Sequence, residues 1–137
     1  LDVSCEVMDY LSGYFGIKYP LNKLDLIAIP DFAPGAMENL GAITFKDSIL
    51  LIDEKTASNF AKRSALSIIA HEMAHQWFGD LVTNRWWDDL WLNEAFATWA
   101  ATKTEAALRP QWRVRAKAVN EREDAMNIDE LASTRPI

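Results

Sequence analysis

The chain has 137 residues, half of them hydrophobic and a quarter charged, with a net charge of −6. That is enough length and ordinary enough composition for one packed core. The acidic balance and the lack of any basic run exclude a nucleic-acid-binding surface. No apolar stretch reaches the roughly 20 residues of a membrane span, so no membrane contact is expected in this segment, and no signal peptide is visible. Cys5 is the single cysteine. It can form neither an internal disulfide nor a thiolate cluster and reads as a small buried apolar residue. The chain opens at Leu1 directly into a helical pattern, so its natural start is expected to lie upstream.

Asp2 suits a helix cap, and Val3, Val7, Tyr10, Leu11 and Tyr14 follow at helical spacing until Gly16 and Pro20 end the pattern. Lys23 to Ile29 alternates like a strand and stops at Pro30. Pro30 to Gly41 reads as a loop, and Ala42 to Ile52 as one or two short strands. Ser58 is the expected N-cap of a helix running to about Phe78, with Gly79 as its stop. Apolar residues fall on most faces of that helix, which predicts burial. A further helix is expected from about Asp89 to Leu108, ended by Arg109 and Pro110, and another from Gln111 to Ala125. The order is helix, strands, then helices, which gives an α+β chain with a small sheet beside a helical lobe.

The only two histidines, His71 and His75, lie four residues apart with Glu72 directly after the first. On a helix, positions i and i+4 share a face, so both imidazoles can aim at one point. Glu72 is rotated by about 100° from His71, poorly placed to ligate the same ion but well placed to reach a water on it. This is the mechanical content of the HExxH zinc motif, whose metal acidifies a water while the carboxylate takes its proton. Two satisfied core histidines are the plain alternative. Chance places two histidines at this spacing in roughly 1–2% of chains, and adding the glutamate lowers that to about one in a thousand. A catalytic zinc needs a third protein ligand. With no third histidine, it must be Asp, Glu or the distant Cys5. Glu94 offers itself on the next helix, with eighteen residues between it and His75. Among Trp91, Leu92, Phe96 and Trp99 its charge is expected to be costly unless a metal offsets it; a solvent face of an amphipathic helix is the plain alternative. Thr98, one turn on, can support the site from behind, although ordinary helix packing is the simpler reading. All six tryptophans fall between Trp77 and Trp112, which suggests a buried aromatic shell around the site. Asp80 and Asn93 can cap or orient.

"GAMEN" at Gly35–Asn39, "HEMAHQWFGD" at His71–Asp80, "WW" at Trp86–Trp87 and "LWLNEAFATW" at Leu90–Trp99 together resemble the gluzincin zinc aminopeptidases of the aminopeptidase N family. Tyr14 to Phe32 resembles the family's lead-in to its exopeptidase loop, and Ser133–Ile137 its continuation, so the likeness covers nearly the whole chain. The resemblance implies part of a thermolysin-like catalytic domain spanning residues 1–137, holding one zinc ion through His71, His75 and Glu94 with Glu72 as general base. It implies that Glu38 binds the free α-amine of a peptide substrate, that Gly35, Ala36 and Met37 line the substrate backbone, and that Asn39 completes this substrate-binding stretch. The implied activity is release of N-terminal amino acids from peptides. Leu40 stands where the family commonly has Trp, Ala95 where it has Gly, and Asn84-Arg85 depart from the usual pairing before the double tryptophan. The family's oxyanion tyrosine follows the glutamate ligand, whereas Tyr10, Tyr14 and Tyr19 all precede the zinc motif. The family's N-terminal β domain and C-terminal helical domain do not fit in this length. The chain is therefore expected to be an excised part of a catalytic domain, with little activity on its own.

Overall fold

The computed structural model describes residues 2–130, so Ser133–Ile137 lies outside the described residues. Five α-helices and three strands follow in the order α1 Asp2–Phe15, β1 Asp25–Ile29, β2 Ala36–Met37, β3 Ala42–Lys46, α2 Asp47–Leu50, α3 Asn59–His75, α4 Trp91–Leu108 and α5 Val114–Asp129. Short 3-10 turns at Trp87–Asp89 and Pro110–Trp112 precede α4 and α5. The arrangement is α+β, as expected: a three-stranded sheet set against a layer of helices.

Helix α1 already includes Asp2 and ends where Gly16 turns left-handed at φ +66°. The sheet order is β1-β3-β2, with β3 central. β1 runs parallel to β3, Leu26 opposite Ile43 and Ala28 opposite Phe45, while β2 pairs antiparallel through Ala36–Phe45 and Met37–Thr44. Alternation along β3 sends Ile43 and Phe45 into the core, both 0% exposed. Two details depart from the sequence reading. The Pro30–Gly41 loop carries the two-residue strand β2, too short to show a period. The second half of Ala42–Ile52 is the helical turn α2, because Asp47 accepts the Ser48 and Leu51 amides and bends the chain out of the sheet.

Helix α3 starts at the expected cap, with the Ser58 hydroxyl accepting the Ala61 N–H at 3.1 Å. It is not buried all round. Phe60 at its start is 81% exposed, whereas Ala65, Leu66, Ile69, Ala70, Met73 and Ala74 are buried. The core joins those residues to Val7 and Leu11 of α1, Ile43 and Phe45 of β3, and Ala97, Ala100 and Ala101 of α4. Both α3 and α4 bring small alanine side chains to this core, and the two helices pack on each other. Trp77 fills the end of this core and donates its indole N–H to the Ile17 carbonyl at 2.9 Å. The aromatic shell is otherwise an overestimate. Trp86, Trp87, Trp91 and Trp99 are all exposed, so their clustering in sequence is not a cluster in the core. Cys5 is exposed as well, since it faces away from the Val7–Leu11 stripe of α1. Among the described residues no helix is long and apolar enough to cross a membrane.

Candidate metal centre and peptide-binding site

The last turn of α3 and the first turns of α4 bring His71, His75 and Glu94 to one point. Nε2 of His71 lies 2.9 Å from Oε2 of Glu94 and 3.1 Å from Nε2 of His75, and the His75–Glu94 separation is 3.6 Å. Zinc bonds to nitrogen and carboxylate oxygen run at about 2.0–2.1 Å, which places tetrahedral ligands about 3.3 Å apart. The three observed edges bracket that value. The donor set therefore fits a divalent ion with imidazole and carboxylate ligands.

His75 is 1% exposed, and its Nδ1–H donates to the Phe78 carbonyl at 3.1 Å, which leaves the Nε2 lone pair facing the cluster. Gly79 makes that bond possible. Its φ is +128°, and a Cβ there would stand 3.0 Å from His75 Nδ1 and 2.7 Å from Asn93 Oδ1. Burial and then the neighbouring His75 depress the His71 pKa, partly offset by Glu94 and Glu38, which favours the neutral ring, the form a metal requires. Thr98 Oγ1 sits 3.4 Å from His71 Nδ1, so this residue meets a proposed ligand as well as packing along α4. Glu94 is not enclosed by tryptophans; its side chain is 64% exposed. The expectation of a charge buried among aromatic rings is corrected accordingly; its carboxylate meets the two histidines instead.

Glu72, buried on the same turn, lies with Glu38 and His75 in a second cluster whose donor atoms are all within 4.8 Å of one another. The two clusters share His75, so they adjoin one another. Desolvation first, then the charges of Glu38 and Glu94, push Glu72 up to about 8. Burial and the charge of Glu38 likewise raise Asp80 to about 6, against a smaller opposing effect of His75.

Glu38 reaches the centre from the loop that contains β2. Gly35, Ala36, Met37 and Glu38 line a cavity of about 550 Å³ together with His71, Glu72 and Glu94. Asn39 does not line it; its amide nitrogen donates to Thr44 Oγ1 at 3.4 Å. None of the three tyrosines lines it, and Tyr19 donates its hydroxyl to the Lys23 carbonyl at 3.3 Å. One residue that sequence reasoning passed over stands at the junction of loop and helix. Gln76 is 0% exposed and hydrogen-bonds to both Glu38 and Gly41. A glutamine directly after a metal-ligand position carried no signal of its own.

The whole chain, residues 1–137, matches the Peptidase family M1 domain. It is 54% identical over 138 residues to Probable aminopeptidase 2 of Sulfurisphaera tokodaii, covering 100% of this chain and 18% of that protein. It is 44% identical over 137 residues to Aminopeptidase M1 of Arabidopsis thaliana, covering 100% and 16%. It is 47% identical over 138 residues to Tricorn protease-interacting factor F2 of Thermoplasma volcanium, covering 100% and 18%. The chain thus spans less than a fifth of the length of each of these relatives. With every one of its residues inside the match, and with His71, Glu72, Glu94 and the Gly35–Glu38 loop lining one cavity, the chain belongs to peptidase family M1.

Proposed function

We propose that this chain is the metal-holding and amine-gauging part of a zinc aminopeptidase that releases N-terminal residues from peptides with a free α-amine. The observation that carries the reading is the convergence of His71, His75 and Glu94 within 3.6 Å, with Glu72 and Glu38 in an adjoining cluster that shares His75. His71, His75 and Glu94 would hold one zinc ion. When bound, zinc supplies a Lewis acid for the scissile carbonyl and acidifies a water.

The chain's own residues then divide the work. Glu72 would act as the general base, taking a proton from the attacking water and returning it to the leaving amine. Glu38 pairs with the substrate's α-ammonium, so that only the first peptide bond reaches Glu72. β2 is one of the two outer strands of the sheet, and its free edge can accept the substrate backbone as an added strand. Gly35, with a left-handed φ of +88°, and Ala36 keep that approach free of bulk. In this reading the oxyanion tyrosine comes from outside the chain, because Tyr10, Tyr14 and Tyr19 stand away from the cavity.

The test is metal content together with chelator-reversible hydrolysis of free and N-blocked aminoacyl anilides, on the 137 residues and on the intact gene product side by side. One zinc per chain and hydrolysis confined to free amines support the reading. Equal turnover of blocked substrates points to an endopeptidase. Zinc without any turnover by the intact product points to a non-catalytic scaffold.

A further inference from the structure

Gln76 follows His75 directly and caps the C-terminal end of α3, and its side chain is 0% exposed. Its amide is fully used. Oε1 accepts the Gly41 N–H at 3.0 Å, while Nε2 donates to the Glu38 carbonyl at 2.9 Å and to the Asp80 carboxylate at 3.0 Å. The partners dictate the orientation, since a flipped amide would set its donors against the Gly41 N–H and its oxygen against two acceptors.

We propose that Gln76 is a positioning residue for the aminopeptidase reaction: its amide clamps both ends of the Glu38–Gly41 turn to the metal-bearing helix and so sets the separation between the amine-holding carboxylate and the ligand cluster. This rests on the aminopeptidase reading above. The rest of the turn answers to other elements. The Asn39 carbonyl accepts from Ala42 at 2.9 Å, and the Gly41 carbonyl accepts from Asp25 at 3.0 Å, which tie it to the sheet. Among the described hydrogen bonds of this turn, only those of Gln76 connect it to α3. The last position of the turn suits glycine. Gly41 has φ +77°, and a Cβ there would lie 2.8 Å from Leu21 Cδ1. Because Gln76 is peptide-bonded to His75, any displacement of the helix end carries Glu38 with it. The task needs a donor and an acceptor on one side chain. Gln76→Glu preserves shape and the bond from Gly41, but sets an oxygen against the Glu38 carbonyl and Asp80. Gln76→Leu preserves bulk and leaves the Gly41 N–H and the Glu38 carbonyl without a partner.

The experiment compares zinc-loaded wild type, Gln76→Leu and Gln76→Glu of the intact gene product. It measures zinc content, kcat and KM for an aminoacyl anilide, and inhibition by two probes: an aminoacyl hydroxamate with a free amine and acetohydroxamate, which has none. The expected result is a rise of about tenfold or more in KM and in the inhibition constant of the amine-bearing probe. Zinc content, kcat and acetohydroxamate inhibition should stay within about twofold. In a Glu38→Ala background the effect of Gln76→Leu should vanish, since both substitutions act through one group. An unchanged KM overturns the proposal. So does parallel loss of zinc and of both inhibitors, which makes Gln76 structural only. If Gln76→Leu does not fold, Gln76→Glu is judged by the same readouts. A wild type that binds the amine-bearing probe no better than acetohydroxamate overturns the aminopeptidase reading itself, and this proposal with it.

Discussion

The α3–α4 pair and the loop carrying β2 both deliver carboxylates to the same cavity, yet they are held in different ways. α3 packs on α4, and the shared core includes small buried side chains from both, Ala70 and Ala74 of α3 and Ala97 and Ala101 of α4. His71, His75 and Glu94 are placed by core packing, which is dense and resists small changes of volume. The loop is held by polar bonds: Gly35 to Phe32 and Lys46, Asn39 to Ala42, and Glu38 and Gly41 to Gln76. A packed helix pair suits ligands that must stay fixed around one ion. A hydrogen-bonded loop suits a gauge that must admit a peptide backbone beside it.

The sharpest test of that division separates chemistry from metal holding. Glu72→Gln should keep zinc and lose about 10²–10⁴ in kcat, the usual worth of a general base. Full activity toward an aminoacyl anilide would remove Glu72 from that role. Next, Glu38→Ala acts on the loop side alone. Losing a hydrogen bond to a charged group costs about 1.5–3 kcal/mol, a factor of roughly 10–150 in kcat/KM for free-amine substrates. Equal losses on N-blocked substrates would show that Glu38 does not read the amine. Ala97→Leu probes the helix pair, where Ala97 is 0% exposed. Overpacking should cost about 1–3 kcal/mol of stability, with zinc affinity falling in step and amine selectivity untouched. Stability loss with unaltered zinc affinity would break the link between helix packing and metal geometry.

The smallest effect lies far from the cavity. The Arg109 guanidinium donates to Glu6 Oε2 at 2.7 Å and holds the Glu6 carboxyl below its ordinary 4.5. The folded pKa is depressed, so this contribution is complete above about pH 4.5 and is lost as pH falls through the lowered value. Both side chains are partly exposed, so solvent screening limits it to at most about 1 kcal/mol. Melting temperatures of wild type and Glu6→Gln should differ slightly at neutral pH and converge in acid. A gap that persists in acid would assign the effect to packing.

Much of the fold was legible because the signals were local. The Ser58 cap, Gly16 as the end of α1 and Pro30 as the end of β1 each follow from the chemistry of one or two residues. β2 was invisible, since two residues carry no period and its pairing with Phe45 and Thr44 is made across the loop. The tryptophans misled for a related reason. Nearness in sequence carries no information on which face an indole occupies, and Trp86 and Trp87 turn outward in the segment before α4.

At the site itself, residue type and spacing determined which side chains could hold a metal. A histidine pair at i and i+4 with an intervening glutamate is a helical constellation, complete before any tertiary contact forms. The reach of Glu94 to those histidines, the left-handed Gly79 that lets the Phe78 carbonyl orient His75, and the Gln76 bonds to the Glu38–Gly41 turn were decided only by tertiary structure. Each depends on segments brought together across the fold or around a chain reversal, and such distances are set by packing and hydrogen bonding that no local pattern encodes.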